Sequence, residues 1–386
     1  MAENREIKGI NEAVLRILAA ANNKEKIIIF GDGDLDGVSS AVILEEALEI
    51  LGNPASFIFF ANREKYGYGL SENVLKLIEP RAPALLIVLD CGTCNLKGAE
   101  LAAKMGFEVI IIDHHQPLEI LPERALIVNP KQSGDEYPFK ELCAAALSYK
   151  LIKALVFAAG KPFSPEQFLE LAALATLYDQ VPLKEDNEQI VNQALFSFPQ
   201  TKRIGLKILY ELMECRIFDR PEIQEKIIPI LSAAGYRDYK NEAFPFLLEK
   251  RSRQKVKKMA LELMEKSRRK KERISEIMIE IKEKRDLSQV IIFEGSKDWP
   301  LSLLGTIASK LCEYYRKPAF IYHEGEEQSQ GSVRVPSEMD AIMMMTPCAK
   351  ILLNYGGHPR ASGFGLKNEN LEKFRKCLID NYQLVF

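Results

Sequence analysis

The sequence predicts an α/β protein with a parallel sheet in its N-terminal half, a long basic helix, and a smaller α/β unit at the C-terminus. Short, almost wholly apolar runs alternate with helical patterns in the first third of the chain, as in parallel sheets covered on both faces. A charged stretch without Gly or Pro comes later, and further apolar runs follow it. The chain has 386 residues, enough for two or three domains, and the predicted boundaries give segments 1–244, 245–285 and 286–386.

Each predicted element comes from a local pattern. The N-terminal strands are short apolar runs bounded by polar or turn-forming residues: Ile27–Phe30, Phe57–Phe60, Leu85–Leu89, Val109–Ile112 and Leu126–Val128. The helices around and after them are predicted at Ser39–Leu51, Ser71–Ile78, Lys97–Met105, Tyr137–Val156 and Pro165–Leu177. In the C-terminal unit, strands are predicted at Val290–Phe293 and Ala319–Tyr322, with a helix at Leu303–Tyr315 between them.

Composition excludes several classes of protein. With 47% hydrophobic and 27% charged residues, the chain is neither disordered nor fibrous. No apolar run approaches the ~18 residues of a membrane span, and residues 1–10 lack the apolar segment of a signal peptide. The seven cysteines are an odd number in a chain too large to need disulfides. We therefore expect reduced thiols, a cytoplasmic protein and no membrane partner.

The basic helix is predicted from the charges between residues 250 and 273. This stretch holds twelve Lys or Arg and three Glu, although the whole chain has a net charge of only −2. The helix could be a solvated connector between domains or a surface that follows a phosphate backbone. Charge alone does not decide between these two interpretations.

A cluster of carboxylates follows the first predicted strand. Asp32, Asp34 and Asp36 lie within five residues and would repel one another unless they bind a cation or take up protons. Aspartate oxygens suit Mg²⁺ or Mn²⁺. A calcium EF-hand is excluded because a strand precedes the loop and Ile43 stands where that loop needs Glu. A dinucleotide-binding loop is disfavoured because acids would repel a pyrophosphate. A solvated acidic loop remains open for this cluster taken alone.

Further acids follow other strands. Asp90 and Asp113 end the third and fourth predicted strands, and the carboxyl ends of parallel strands border the ligand crevice of such sheets. Asp179 ends an apolar helix and is a weaker candidate for the same site. His114 and His115 follow Asp113, and since neighbours on an extended backbone point to opposite sides, one should bind metal and the other serve a different purpose. The Cys91–Cys94 pair has no second such pair, which disfavours a zinc or redox site.

These motifs together resemble the DHH-family phosphoesterases, and most closely the RecJ-like single-strand-specific exonucleases. The N-terminal resemblance rests on Asp34-Leu35-Asp36-Gly37, Asp90-Cys91-Gly92, Asp113-His114-His115 and the later Asp179. The C-terminal resemblance, to the DHHA1 domain, rests on Gly331-Ser332-Val333-Arg334 and on Tyr355-Gly356-Gly357-His358-Pro359-Arg360. The chain departs from the family at Gly33, where an aromatic residue is common. It also ends at Phe386 without the OB-fold of longer members, so a processive grip on long strands is not expected.

The resemblance implies hydrolysis of phosphodiester bonds in single-stranded DNA or RNA with two Mn²⁺ or Mg²⁺ ions, from 5′ to 3′ on DNA. Asp90 would bridge the ions, Asp113 would orient His114, and His115 would contact the phosphate or assist proton transfer. The implied ligands of one ion are Asp36, His114 and Asp179, and those of the other are Asp34 and Asp32. The implied substrate-binding residues of the second domain are Ser332, Arg334, Gly356, Gly357 and His358.

Two alternatives stay open at this point. One is an oligoribonuclease or cyclic-dinucleotide phosphodiesterase of the same superfamily, and the other is a non-catalytic replication scaffold. Replication or repair proteins are conceivable partners, and the sequence does not indicate an oligomeric state. Under the nuclease hypothesis the basic helix would flank the path of the strand, and Tyr66 and Tyr68 are candidates for stacking on bases.

Overall fold

The computed structural model of the protein describes residues 5–67, 69–284 and 289–385. Its contacts divide the chain into two units, Met1–Ser267 and Arg268–Phe386, and the division falls within one long helix. The two-unit α/β architecture with a long basic helix between the units confirms the predicted fold class. The predicted domain boundaries at 244/245 and 285/286 remain predictions.

A five-stranded parallel sheet forms the centre of the first unit. Its strands are Ile27–Gly31 (β1), Phe57–Phe60 (β2), Ala84–Leu89 (β3), Phe107–Ile112 (β4) and Ala125–Val128 (β5). Their order is β2-β1-β3-β4-β5. All five residues of β1 are buried, and Ile27 and Ile29 join one hydrophobic cluster while Ile28 and Phe30 join another. The sheet is therefore covered on both faces, which is why its strands are apolar throughout.

Helices pack on both faces of this sheet. The helices of the first unit are Ile10–Asn22 (α1), Leu35–Ile50 (α2), Arg63–Tyr66 (α3), Glu72–Ile78 (α4), Leu96–Lys104 (α5), Ala144–Ala158 (α6), Glu166–Tyr178 (α7), Glu185–Ser197 (α8), Ile204–Leu212 (α9), Arg220–Glu222 (α10), Ile228–Leu231 (α11) and Ala243–Leu248 (α12). The larger cluster includes buried residues of α1, α2, α6 and α7, and the smaller one lies under α4 and α5. A short hairpin, Tyr236–Arg237 (β6) and Lys240–Asn241 (β7), is separate from the main sheet.

The long basic helix extends over Arg253–Lys284 (α13). Val256, Ala260 and Leu263 are buried in the core of the first unit. Ile274 and Ile277 are buried in a core of the second unit. The helix thus contributes apolar side chains to one core near its start and to another near its end, while Lys and Arg fill most of the positions between.

The second unit has a mixed sheet. Its strands are Ile292–Ser296 (β8), Ala319–Glu324 (β9), Gln328–Arg334 (β10), Asn354–His358 (β11) and Ala361–Lys367 (β12). Their order is β11-β12-β10-β9-β8, and every pair except β8–β9 is antiparallel. The helices are Leu301–Tyr315 (α14), Ala341–Met345 (α15) and Leu371–Val385 (α16). The sequence did not predict β10, β11 or β12, because these strands are rich in Gly and polar residues.

Two predictions are wrong. The helix predicted from Tyr137 begins at Ala144, because residues 137–143 form an irregular connection before it. The seven cysteines are not all reduced: Cys348 and Cys377 form a disulfide, and five are free. Counting cysteines could not reveal this pair, since the fold brings together residues 29 positions apart. Within the described ranges, every helix is either too short or too polar to cross a lipid bilayer.

Candidate metal centre

Three aspartates lie at the carboxyl edge of the parallel sheet, each directly after a strand. The backbone N–H of Asp32 donates to the carbonyl of Leu89 at 3.1 Å, and the N–H of Asp90 donates to that of Ile112 at 2.9 Å. Asp113 continues the series with a bond of 3.1 Å to the carbonyl of Val128. The backbone hydrogen bonds of the sheet therefore extend one residue past each of these strands, and they place the three aspartates side by side.

The loop after β1 is held by its own carboxylates. Asp34 caps α2, since its Oδ1 accepts from the N–H groups of Asp36 at 3.1 Å and Gly37 at 3.2 Å. Oδ1 of Asp32 accepts from the N–H of Gly33 at 2.8 Å. A Cβ at Gly37 would lie 2.4 Å from the carbonyl oxygen of Asp32, so only glycine allows the loop to turn this tightly. The cap leaves Asp36 in the first turn of α2.

The fully buried Asp36 side chain reaches the start of α6. Its two oxygens accept from the N–H groups of Ala144 and Ala145, both at 2.7 Å. Burial, together with the neighbouring charge of Asp34, nevertheless raises the pKa of Asp36 to about 6. The contact with α6 was not predicted, because it joins positions more than a hundred residues apart.

His114 is the centre of the cluster. Its Nε2 lies 3.3 Å from Oδ1 of Asp90, 3.4 Å from Oδ2 of Asp179 and 3.7 Å from Oδ2 of Asp36. Asp90 adopts a left-handed backbone conformation with φ of 62°, and its buried Oδ1 has no hydrogen-bond partner among the described residues. Burial and then the charges of Asp34 and Asp36 raise the pKa of Asp90 well above its ordinary value.

The six predicted metal ligands all come together here. Together with His115, they fall into overlapping groups whose ligand atoms lie within 4.8 Å of one another: Asp36–His114–Asp179, Asp32–Asp34–Asp90 and Asp90–His114–His115. Asp90 and His114 each belong to two of these groups. Oxygens with one imidazole suit Mn²⁺ or Mg²⁺. The buried Oδ1 of Asp90 and the opposing carboxylates also fit a site that a cation stabilises.

Asp113 binds the backbone of His114 and the ring of His115, and its role in orienting His114 stays a prediction. Its Oδ1 lies 2.7 Å from Nδ1 of His115 and accepts from the N–H of His114 at 2.8 Å, while Oδ2 accepts from the N–H of Thr93 at 3.0 Å. The ring of His114 points towards Asp90 and Asp179. Burial of Asp113 opposes its charge, yet His115 and these hydrogen bonds hold its pKa below the ordinary value.

Asn129 is a further residue of this edge that the sequence reasoning missed. It is fully buried, and its Nδ2 donates to Oγ1 of Thr93 at 3.2 Å and to the carbonyl of His115 at 2.9 Å. Asn129 thereby links the backbone at His115 to Thr93, the residue whose N–H donates to Asp113. A signal was present, since Asn129 directly follows β5 as Asp113 follows β4.

The predicted substrate-binding residues lie on neighbouring strands of the second unit. Ser332 of β10 and Gly356 of β11 both pair with Gly363 of the intervening β12. Arg334 and His358 both pair with Ala361, and Gly357 lies between Gly356 and His358 on β11. A Cβ added at Gly305 would lie 3.3 Å from Nη2 of Arg334, so the guanidinium group lies against α14. The side chain of His358, like the whole of Tyr68, lies outside the described part of the structure.

Comparisons with known proteins agree with both units. The family model of the DHH family, N-terminal domain, matches residues 26–176, and that of the DHHA1 domain matches residues 287–383. The single-stranded-DNA-specific exonuclease RecJ of Bacillus subtilis is 34% identical over 380 residues, which are 97% of this chain and 48% of that protein. This chain thus spans about half the length of that relative.

Solved structures show the same similarity. A crystal structure of exonuclease RecJ bound to manganese has a TM-score of 0.81 at 26% identity and covers 99% of this chain and 96% of that one. The structure of RecJ from Thermus thermophilus in complex with Mn²⁺ has a TM-score of 0.85 at 25% identity, covering 98% and 55% of the two chains.

Proposed function

Because residues 26–176 match the model of the DHH family and residues 287–383 match that of the DHHA1 domain, we propose that this chain is a metal-dependent hydrolase of phosphodiester bonds in single-stranded nucleic acid. The observation that carries the proposal is the convergence of five carboxylates and one imidazole at the carboxyl edge of the parallel sheet. A non-catalytic replication scaffold does not need such a set of metal ligands, and burying these carboxylates without a cation is unfavourable.

Two divalent ions are the cofactors in this proposal. Asp36, His114 and Asp179 would hold one, Asp32 and Asp34 the other, and Asp90 both. When bound, such ions activate a water molecule and stabilise the oxygen that leaves the phosphate. The amides of Ala144 and Ala145 keep the carboxylate of Asp36 in one orientation, so that it need not reorganise when an ion binds.

In this proposal, His115 is the proton-transfer residue. Its Nδ1 is held by the carboxylate of Asp113 at 2.7 Å, which fixes the orientation of the ring and stabilises its protonated form. Nε2 is then the nitrogen that contacts the phosphate or gives a proton to the leaving oxygen. The side chain is 31% exposed, whereas that of His114 is 7% exposed, so His115 is the histidine that a substrate can reach.

The DHHA1 domain holds a phosphate of the strand in this proposal. Arg334 can bind a phosphate through two N–H groups, with the hydroxyl of Ser332 on the same face of β10. Among the described residues, apart from its chain neighbours, none has an atom within 4 Å of the Cβ position of Gly356, so a phosphate can approach its backbone closely. Gly357 and His358 would complete the contact. The basic residues of α13 would attract the strand through its phosphates.

The finer assignments rest on similarity. The relative from Bacillus subtilis is named a single-stranded-DNA-specific exonuclease, and we propose DNA as the substrate and stepwise cleavage from the 5′ end. We also propose a cytoplasmic location, where such substrates arise during replication and repair.

One assay tests the proposal directly. Single-stranded DNA, single-stranded RNA and duplex DNA of several lengths, labelled at either end, are incubated with Mn²⁺ or Mg²⁺, and the products are separated by size. We expect release of mononucleotides from the 5′ end of single-stranded DNA and none from blunt duplex. Equal turnover of dinucleotides and long strands would instead favour an oligonucleotide phosphodiesterase. Metal binding without any cleavage would favour a scaffold.

A further inference from the structure

The hairpin β6–β7 has an unusual turn. Its two central residues, Asp238 and Tyr239, both have positive φ, 51° and 61°. Two-residue hairpin turns of this kind favour Asn or Asp followed by Gly, since glycine adopts positive φ without strain. A bulky aromatic residue at positive φ is uncommon. Tyr239 therefore occupies a position where its side chain is a disadvantage for folding, and it is 43% exposed.

The turn and the second strand of the hairpin are both attached to the edge that carries the metal centre. The carbonyl of Tyr239 accepts from the N–H of Phe60, the last residue of β2, at 2.7 Å. The buried Asn241 donates through Nδ2 to the carbonyl of Gly33 at 2.8 Å. Gly33 lies between Asp32 and Asp34, so the hairpin is fixed directly to the loop of the proposed metal ligands.

The side chain of Tyr236 lies over that loop. A Cβ at Gly33 would be 1.7 Å from the hydroxyl oxygen of Tyr236 and 2.5 Å from its Cζ. The absence of a side chain at Gly33 thus leaves the space that the end of the Tyr236 ring fills. Tyr236 is 38% exposed, so one part of its ring contacts the loop and another faces solvent.

A third tyrosine extends this aromatic area. The ring of Tyr66, from α3 after β2, lies 6.2 Å from that of Tyr239 at an interplanar angle of 43°. Nζ of Lys65 lies 5.1 Å from the centre of the Tyr66 ring. At this separation and tilt a base cannot enter between the two rings, but it can stack on their outer faces, with a cation nearby for its phosphate.

We propose that Tyr66, Tyr236 and Tyr239, which we call the tyrosine surface, form a stacking site for the bases of a single strand next to the metal centre. The inference deepens the proposed function and rests on it. Base stacking on tyrosine needs no particular sequence, since every base has an aromatic face. It also gives a reason for an exposed aromatic residue at the strained turn position, where the side chain contributes nothing to a core.

Binding measurements without metal test the tyrosine surface apart from cleavage. Fluorescence anisotropy of labelled single-stranded DNA is recorded in EDTA for the wild type, Tyr239→Ala and Tyr236→Ala. Loss of one stacked base should weaken binding about 5- to 100-fold. Tyr239→Phe and Tyr236→Phe keep a ring and should bind nearly as the wild type does. The matched control is Tyr314→Ala, because Tyr314 is 68% exposed and has Nζ of Lys282 4.4 Å from its ring centre.

Abasic substrates separate stacking from other contacts. An abasic site moved along the strand should weaken binding by the wild type at one or two positions, and Tyr239→Ala should show no further loss there. Mn²⁺ affinity, measured by electron paramagnetic resonance, should be the same in the wild type and in both alanine variants. Should Tyr239→Ala fail to fold, Tyr236→Ala carries the test, since Tyr236 lies on a regular strand and is partly exposed.

The two proposals fail in different ways. If the wild type binds and cleaves single strands but the alanine variants bind as tightly as it does, the tyrosine surface is wrong and the proposed function stands. The tyrosine surface would also be wrong if an abasic site weakened binding as much in Tyr239→Ala and Tyr236→Ala as in the wild type. If the wild type neither binds nor cleaves single strands, both proposals are wrong.

Discussion

The carboxylate of Asp113 lies 2.7 Å from Nδ1 of His115, and the neighbouring His114 directs its Nε2 to Asp90 and Asp179 instead. Two adjacent histidines therefore have different surroundings. His114 is 7% exposed and lies among three carboxylates, whereas His115 is 31% exposed and has one buried carboxylate behind it. This difference in surroundings supports the proposed roles of His114 as a metal ligand and of His115 as a proton-transfer residue.

The first prediction concerns Asp113→Asn. The variant removes the negative charge behind His115 and disfavours the protonated ring, so kcat should fall about 10²- to 10⁴-fold, the usual contribution of acid–base catalysis. Mn²⁺ affinity and KM should change little, because His114 and the carboxylates around it are intact. Steady-state kinetics and Mn²⁺ titration measure the two effects separately. A loss of Mn²⁺ binding comparable to that of His114→Ala would mean that Asp113 acts on the metal centre.

The second prediction concerns Asp90, which belongs to two groups of proposed ligands. Asp90→Asn should abolish Mn²⁺-dependent cleavage while binding of single strands in EDTA is retained. The metal-free variant should also be more stable than the wild type, by about 1 kcal/mol or more, because a buried carboxylate facing other carboxylates is replaced by a neutral group. Thermal unfolding in EDTA checks the sign. Retained cleavage would show that Asp90 does not bridge the ions.

The sequence was sufficient for the parts of the site that depend on local pattern and strand order. Asp32, Asp90 and Asp113 could be grouped because carboxyl ends of parallel strands meet at one edge. Contacts such as Asp36 with the amide of Ala144, or Asn241 with the carbonyl of Gly33, join residues 108 and 208 positions apart. No local pattern specifies such pairs, since they follow from how helices and hairpins pack on the sheet.

The third prediction links pH to metal binding. The pKa of Asp36 is about 6 in the folded protein against an ordinary value of 3.8. Between these values the folded state keeps a proton that the unfolded state has lost, so the metal-free protein should lose stability as pH rises through this range. Mn²⁺ competes with that proton. The increase in Tm that Mn²⁺ causes should therefore be larger at pH 7.5 than at pH 5. Calorimetry at both pH values, with and without Mn²⁺, gives the comparison. An equal increase at both would contradict it.

The fourth prediction concerns Glu170, a buried residue of α7 away from the metal centre. Its Oε2 accepts from Oγ1 of Thr201 at 2.6 Å, and burial raises its pKa to about 7 from an ordinary 4.5. The charged form is disfavoured in the folded state, so Glu170 should lower stability as pH rises from 4.5 to 7. Glu170→Gln removes this cost and should stabilise the protein at pH 8 by up to about 3 kcal/mol.

Glu46 is the matched control for Glu170, because it is also buried but has a cationic partner. Its two oxygens accept from Nη1 and Nη2 of Arg203 at 3.0 and 2.6 Å. Glu46→Gln removes the carboxylate that binds both terminal nitrogens of the buried guanidinium and should destabilise the protein by about 3–5 kcal/mol at pH 8. Urea unfolding of both variants at pH 5 and pH 8 measures the opposite signs. If Glu170→Gln were destabilising at pH 8, Glu170 would have to be charged and paired in the folded protein, and burial would not control its pKa.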